Sequence, residues 1–205
     1  MPAIIDKRYA ESAARNAQPI LEVLRHELRE CRDVLEIGSG TGQHAVRFAT
    51  ELGHLDWQTS DLEENHESIL AWLSEAGLSN VRAPLTLDVT RSNIDARYDA
   101  VYSANTAHIM SFAAVRQMFA LAGEVLRPKG VFCLYGPFRR NGEFDTQSNA
   151  AFDASLRSRN STMGIRNLED LDKLAAEYAL QRVSLYAAPS NNRVVIWQKI
   201  DGQAQ

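Results

Sequence analysis

The chain has 205 residues, with 22 Lys or Arg against 26 Asp or Glu, a net charge of -4. That length fits one complete domain with modest additions rather than two, and the acidic balance disfavours nucleic acid as the main partner. A hydrophobic share of 45% with 23% charged residues is that of an ordinary globular domain with a sizeable core, which argues against intrinsic disorder.

Asp6, Lys7, Arg8, Glu11 and Arg15 interrupt the apolar run that a secretory signal would need. The longest uncharged stretch, Ala100 to Val115, is 16 residues with five polar members, short for a membrane span. A cytoplasmic protein without a membrane segment is the expectation. Cys31 and Cys133 form no C-x-x-C pair, and His26, His44, His54, His66 and His108 lack zinc-ligand spacing, so no metal is expected.

In chain order, Ile20, Leu21, Val23, Leu24 and Leu28 share one face of a first helix, and Val34 to Ile37 reads as a buried first strand. Val46, Phe48, Ala49 and Leu52 mark the next helix, Leu55 to Ser60 the second strand, and Ile69, Trp72, Leu73 and Ala76 a third helix. A third strand ends near Leu87, and Asp99 to Ser103 makes a fourth. The helix of Val115 to Leu126 then meets the fifth strand, Val131 to Tyr135, through Arg127-Pro128-Lys129-Gly130, where glycine can take positive φ. Strands alternating with helices predict an α/β fold with a parallel sheet covered on both faces. After the helix of Leu168 to Ala179, two strands, Arg182 to Ala187 and Arg193 to Trp197, follow with only a Pro189-Asn191-Asn192 turn between them. They are expected to pair antiparallel at one sheet edge. No repeat or linker divides the chain, so residues 1–205 form one domain, with 138–167 as a polar insertion over the active face.

Chemistry concentrates after the first strand, in Glu36-Ile37-Gly38-Ser39-Gly40-Thr41-Gly42. Alternate glycines let the backbone turn tightly and approach a ligand where a Cβ would stand in the way. The spacing is G-x-G-x-G. A dinucleotide fingerprint needs glycine or alanine where Gln43 stands, which disfavours a nicotinamide-dependent oxidoreductase. The second strand ends in Asp61, nineteen residues after Gly42, followed by Leu62; this acid either accepts hydrogen bonds from ribose hydroxyls or caps the next helix. Asp88, with Val89 beside it, either flanks an adenine ring or serves a turn.

Together, Val34 to Gly42, Asp61, Asp88, the Leu126-to-Gly130 turn and the closing hairpin resemble the class I S-adenosylmethionine (SAM) methyltransferases over nearly the whole chain. More narrowly, Arg15-Asn16 with Pro19, Ser103 to Ile109, Tyr135-Gly136-Pro137-Phe138, Ser148 to Asp153 and Gly164-Ile165-Arg166 resemble the methyltransferase-like protein 26 family. Met163 and Ala188 depart from that pattern, which bears on the substrate pocket more than on cofactor binding. The resemblance implies a Rossmann-like seven-stranded sheet, mostly parallel with a C-terminal antiparallel hairpin. It implies SAM across the carboxyl ends of the first strands. Gly38 and Gly40 would lie under its methionine part, Glu36 at its amino group, Asp61 on the ribose, Asp88 and Val89 at adenine, and Asn105 near the sulfonium, with Ser39, Gly42 and Leu62 also among the cofactor-binding residues.

Methyl transfer asks the protein to align a nucleophile and, where needed, to take its proton. His108 is the candidate base because its ordinary pKa lies near neutrality; it otherwise orients substrate or satisfies a buried carbonyl. Asn105 to His108 lacks the Pro-Pro-aromatic run of methyltransferases acting on planar bases, which favours a small-molecule substrate. Arg15 and Asn16, in the segment 1–30, form either a lid or plain surface. Tyr135, Phe138, Phe144 and Phe152 either wall a pocket or pack the insertion. From the insertion, Arg139 and Asn141 are the substrate-side candidates, and Arg140, Arg157 and Arg166 either meet an anionic substrate or stay in solvent. The main rival is a non-catalytic methyltransferase fold that binds SAM and acts through a protein partner.

Overall fold

A computed structural model describes residues 7–91 and 93–200, so residues 1–6 of the expected lid segment and 201–205 lie outside the described residues. In chain order the elements are α1 (Glu11–Glu27), β1 (Asp33–Glu36), α2 (Gln43–Glu51), β2 (Asp56–Asp61), α3 (His66–Ala76), β3 (Val81–Thr86), β4 (Tyr98–Ala104) and α4 (Phe112–Val125). There follow β5 (Leu126–Arg139), α5 (Gln147–Arg159), β6 (Arg166–Asn167), α6 (Leu168–Glu177), β7 (Leu180–Ala188) and β8 (Asn192–Lys199). The sheet runs β3-β2-β1-β4-β5-β8-β7, a seven-strand path to which the two-residue β6 adds beside β5. β1 to β5 are mutually parallel. β8 is antiparallel to β5 and β7 to β8, so the expected hairpin closes one edge with β7 outermost.

Strand residues alternate between two cores, the signature of a sheet buried on both faces. Val34, Ala100, Val131, Cys133, Val194 and Ile196 face α1 and α2, where Ile20, Leu24, Phe48 and Trp57 are fully buried. Leu35, Val101, Phe132, Leu134, Val195 and Trp197 face α4 and α6. α1 uses its Ile20-Leu21-Leu24 stripe although Pro19 lies within it. Ser111 starts α4, its hydroxyl accepting the Ala114 amide at 3.1 Å. Among the described residues no helix is long and apolar enough to cross a membrane.

Two local expectations are corrected. At the Arg127-to-Gly130 turn the positive φ falls on Lys129 (65°), and Leu126 already pairs with Tyr98 before the register shifts. Gly130 is needed for space instead: a Cβ there would lie 2.8 Å from the Asp99 carbonyl oxygen. The segment 138–167, read as a polar insertion, holds the thirteen-residue α5. Its sequence shows no strong apolar stripe because only Leu156, with Asn149 and Asp153, is buried along it.

The contact between α4 and the end of α6 leaves no room at Gly123, where a Cβ would sit 2.7 Å from the Tyr178 carbonyl oxygen and 2.8 Å from its Cβ. Alanine is the better helix former by about 1 kcal/mol, but overpacking against backbone costs about 1–3 kcal/mol. Gly123→Ala is therefore expected to lower stability by up to about 2 kcal/mol in urea unfolding. A midpoint at or above the parent's would refute this packing account.

Candidate active site

The glycine loop begins where β1 ends and is fastened to β2 by a buried polar cluster. Glu36 Oε2 accepts from Ser39 Oγ at 2.9 Å and from Trp57 Nε1 at 3.0 Å. Ser60 donates its hydroxyl to the Glu36 carbonyl at 2.6 Å, and its amide donates to Ser39 Oγ at 3.1 Å. The amides of Gly38 and Ser39 both donate to the Ser60 carbonyl, and that of Gly40 to Asp61 Oδ2 at 2.6 Å. Burial pushes the Glu36 carboxyl up to about 7, against the lowering pull of Trp57 and Ser39. Gly38 takes φ +77° and leaves no space for a side chain, since a Cβ would stand 2.7 Å from Thr106 Cγ2. Gly40, at φ +60°, has nothing within 4 Å of its Cβ position, so its bare backbone faces open space. Gly42, at φ +95°, faces α3, where a Cβ would stand 3.0 Å from Ile69 Cα.

That open space is a cavity of about 490 Å³ at the carboxyl edge of β1, β2 and β4. Gly38, Gly40, Asp61, Leu62, Asp88, Val89 and Asn105 all line it. So do Thr106 and Ile109 of the Ser103-to-Ile109 stretch, and Glu64, Asn65, Thr90 and Met110, which belong to none of the motifs. Its charged lining residues are Asp61, Glu64 and Asp88, with no Lys or Arg. Asp61 is buried and already accepts from Gly40, from the Leu62 amide and from Asn65 Nδ2, each at 2.6–2.7 Å. Asp88 Oδ1 accepts from the amide and hydroxyl of Thr90, which hold its carboxyl below the usual range. Each acid thus serves the local backbone and the cavity together; a carboxylate has about four lone-pair sites, enough for both. Glu36 and Ser39 are not among the lining residues and stand behind the loop.

A second cavity, about 760 Å³, opens on the other side of Asn105, which lines both. Asn105 holds φ 60°, a left-handed conformation that asparagine tolerates, and its amide donates to the Tyr135 carbonyl. Arg15, Asn16, His108 and Tyr135 line this cavity with Asn149 and Phe152 of α5 and Pro189, Ser190 and Asn192 of the hairpin turn. Arg139 and Asn141 do not. Arg139 lies 5.5 Å from the Phe144 ring, and the Asn141 amide donates to Glu169. Arg140 pairs with Asp145 and Arg157 with Asp153, so the insertion's basic residues are consumed by their own neighbours.

α1 reaches the second cavity through a buried chain of hydrogen bonds. His44 Nε2 approaches both the Ala13 carbonyl (3.1 Å) and Asn16 Oδ1 (2.7 Å), so it carries the proton, and Nδ1 accepts from the Tyr102 hydroxyl at 3.1 Å. Burial lowers the His44 pKa to about 4 and keeps the ring neutral. Asn16 then presents its NH2 group to Tyr135, whose hydroxyl also meets Asn192. Gln43, which the motif reading used only to set aside a dinucleotide site, holds the N-terminal segment: its Oε1 accepts the Ala10 amide at 2.6 Å and the Thr41 hydroxyl at 3.0 Å.

His108 is buried, edge-on to Phe152 at 5.4 Å, and neither ring nitrogen has a hydrogen-bond partner among the described residues. Burial, then the charges of Arg166 and Arg159, lower its pKa to about 4. The expectation of a group titrating near neutrality is therefore corrected: the ring is neutral, and a weak base. Arg166 fixes the loop beneath it, donating to the carbonyls of Ala107, Met110 and Thr162, while the Gly164 amide donates to the His108 carbonyl. The signal for α5 and the hairpin turn lay in the quoted stretches Ser148 to Asp153 and Pro189 to Asn192, but their meeting with His108 is a tertiary fact.

A family model described as "protein of unknown function (DUF938)" matches residues 7–199. The chain belongs to this family. Solved structures similar to this DUF938 chain include O-methyltransferase family proteins and an S-adenosylmethionine-dependent methyltransferase. An O-methyltransferase family protein from Burkholderia thailandensis matches with a TM-score of 0.81 at 14% identity, over 94% of this chain and 59% of that one. An O-methyltransferase family 2 protein from Planctomyces limnophilus, in complex with apigenin, gives 0.80 at 14% identity over 92% and 60%. Human N-acetylserotonin methyltransferase in complex with SAM gives 0.78 at 12% over 93% and 53%. The chain thus spans a little over half the length of these proteins, and the shared property is the methyltransferase fold.

The raised pKa of Glu36 has a consequence for stability. Between its ordinary value of 4.5 and about 7 the folded state binds more protons than the unfolded chain, so this group's contribution to stability falls as pH rises through that window. Glu36→Gln keeps an acceptor for Ser39 and Trp57 and removes the titration. The stability difference, mutant minus parent, is expected to grow between pH 4.5 and 7 by about 3 kcal/mol at most. A difference independent of pH in denaturant unfolding would show that Glu36 titrates normally.

Proposed function

We propose that this chain is a SAM-dependent methyltransferase acting on a small molecule. One observation carries the reading: two cavities meet at Asn105, the first lined by bare glycine backbone and three acids, the second by Arg15 and, among the described residues, no acid. The first suits a ligand bearing an ammonium and a sulfonium, which an acidic crevice favours over an anion. The open face of Gly40 supplies the close approach that the methionine part needs. In this reading Asp61 accepts from the ribose, Leu62 packs beside it, and Asp88 and Val89 flank adenine. Gly38, Ser39 and Gly42 shape the loop, and Glu36 acts on the ammonium from behind it. When bound, SAM supplies an electrophilic methyl group at the seam between the cavities.

The chain's own residues do the rest. Asn105 stands at the seam; His108, neutral and unpartnered, and Tyr135, with its proton held on by burial, offer hydrogen bonds to an acceptor in the second cavity. α1 closes that cavity as a lid, anchored by Asn16 and Gln43, and α5 covers it from the insertion. The likeness to the methyltransferase-like protein 26 family belongs to this reading.

Calorimetric titration of SAM, its demethylated product and NAD tests the assignment, with SAM and product expected to bind and NAD not; tighter binding of NAD would overturn it. Asp61→Ala should weaken SAM binding by about 30-fold to 1000-fold, from loss of two hydrogen bonds to a charged acceptor at about 1.5–3 kcal/mol each with partial compensation. Unchanged affinity in a folded mutant, checked by circular dichroism, would leave Asp61 as a loop anchor only.

A further inference from the structure

The second cavity is built from donors. Arg15, Asn16, Asn105, Tyr135, Asn149 and His108 each carry an N–H or O–H, and among the described residues no Asp or Glu lines the cavity. Asn149 Nδ2 is buried without a hydrogen-bond partner among the described residues. The neutral His108 ring carries one N–H, so the wall holds donors that a ligand oxygen would satisfy. Arg166 and Arg159 both act on His108 in the direction that disfavours a protonated ring. Apolar surface comes from Phe152, Pro137 and Pro189.

Resting on the function proposed above, we infer that the methyl acceptor is the carboxylate of a small organic acid with an apolar body, seated between Arg15 and His108. In that transfer a lone pair on the carboxylate oxygen forms the new O–CH3 bond while the methyl–sulfur bond breaks and its electron pair stays on sulfur. The negative and positive charges cancel, the product is a methyl ester, and no proton is released. A phenol or alcohol acceptor would need a base, and the cavity provides none of adequate strength. With its pKa near 4, His108 would take a proton from a phenol of pKa about 10 roughly a millionfold unfavourably. Tyr135, raised by burial, holds its own proton.

The probes are benzoate, phenylacetate and octanoate, each against its primary amide, which matches it in shape but carries no charge. Each is titrated calorimetrically into protein saturated with S-adenosylhomocysteine, and each is incubated with methyl-labelled SAM. The acids are expected to bind at least about tenfold tighter than their amides, a difference of about 1.4 kcal/mol. Arg15→Met is expected to erase that preference without changing affinity for S-adenosylhomocysteine. Transferred label should be released as volatile methanol by mild alkali, as from an ester. Acid and amide binding alike, neither binding, an unchanged preference in Arg15→Met, or alkali-stable label would each overturn the inference while leaving the SAM assignment intact. Failure of S-adenosylhomocysteine itself to bind would overturn the underlying function instead.

Discussion

A buried carboxyl group at the end of β1 holds the working edge of this protein together. Glu36 has left water, and the hydrogen bonds from Ser39 and Trp57 that compensate it tie the glycine loop to the neighbouring strand β2. Because the group is buried, it cannot shift to a solvated alternative, and the loop inherits its position. The amides of Gly38, Ser39 and Gly40 are then spoken for by Ser60 and Asp61, and the backbone turns over Thr106 with no room for a side chain at residue 38. The first cavity is what remains in front of that fixed turn. Ser39 fastens the loop through Glu36 and the Ser60 amide, and Gly42 packs against α3.

The two cavities differ in charge, and the difference arises from opposite uses of ionisable residues. In the first, Asp61 and Asp88 satisfy nearby backbone amides and still face the open space, so their charge is retained at its edge. In the second, the carboxylates of the surrounding insertion are turned away: Asp145 holds Arg140 and Arg193, and Asp153 holds Arg157 and the Ile165 amide. What faces the space is amide, hydroxyl and imidazole, with one guanidinium at the mouth. Asn105, forced into a left-handed conformation where β4 ends, is the one residue common to both.

Burial also separates two histidines from their ordinary chemistry. His44 and His108 both have pKa values near 4 and both are neutral, yet they do different things. His44 is fully engaged and links Tyr102 in the core to Asn16 on α1, so hydrogen bonds fix the start of that helix in addition to the packing of its apolar stripe. His108 keeps its nitrogens unpartnered beside Phe152. An imidazole held neutral and unsatisfied is a poor proton acceptor but a ready hydrogen-bonding group, which places the burden of ionisation on whatever molecule it meets.

From the sequence alone came the strand-and-helix alternation, the antiparallel hairpin, and the loop at the carboxyl end of β1, because these depend on local periodicity and on glycine's conformational freedom. Seven of the residues singled out for the cofactor, Gly38, Gly40, Asp61, Leu62, Asp88, Val89 and Asn105, line one cavity, since each strand of a parallel sheet delivers its last residue to the same edge. The tertiary structure decided what no spacing encodes. α5, weakly amphipathic, was invisible as a helix because its buried positions are Asn149, Asp153 and Leu156 rather than an apolar stripe. Arg139 and Asn141 do not line the cavity, whereas Asn149, Phe152 and Asn192 do, a matter of how α5 and the hairpin turn pack in space. The pKa of His108 moved from the middle of the physiological range to about 4 because desolvation and two distant arginines act through space, and neither leaves a trace in the residues beside it in the chain.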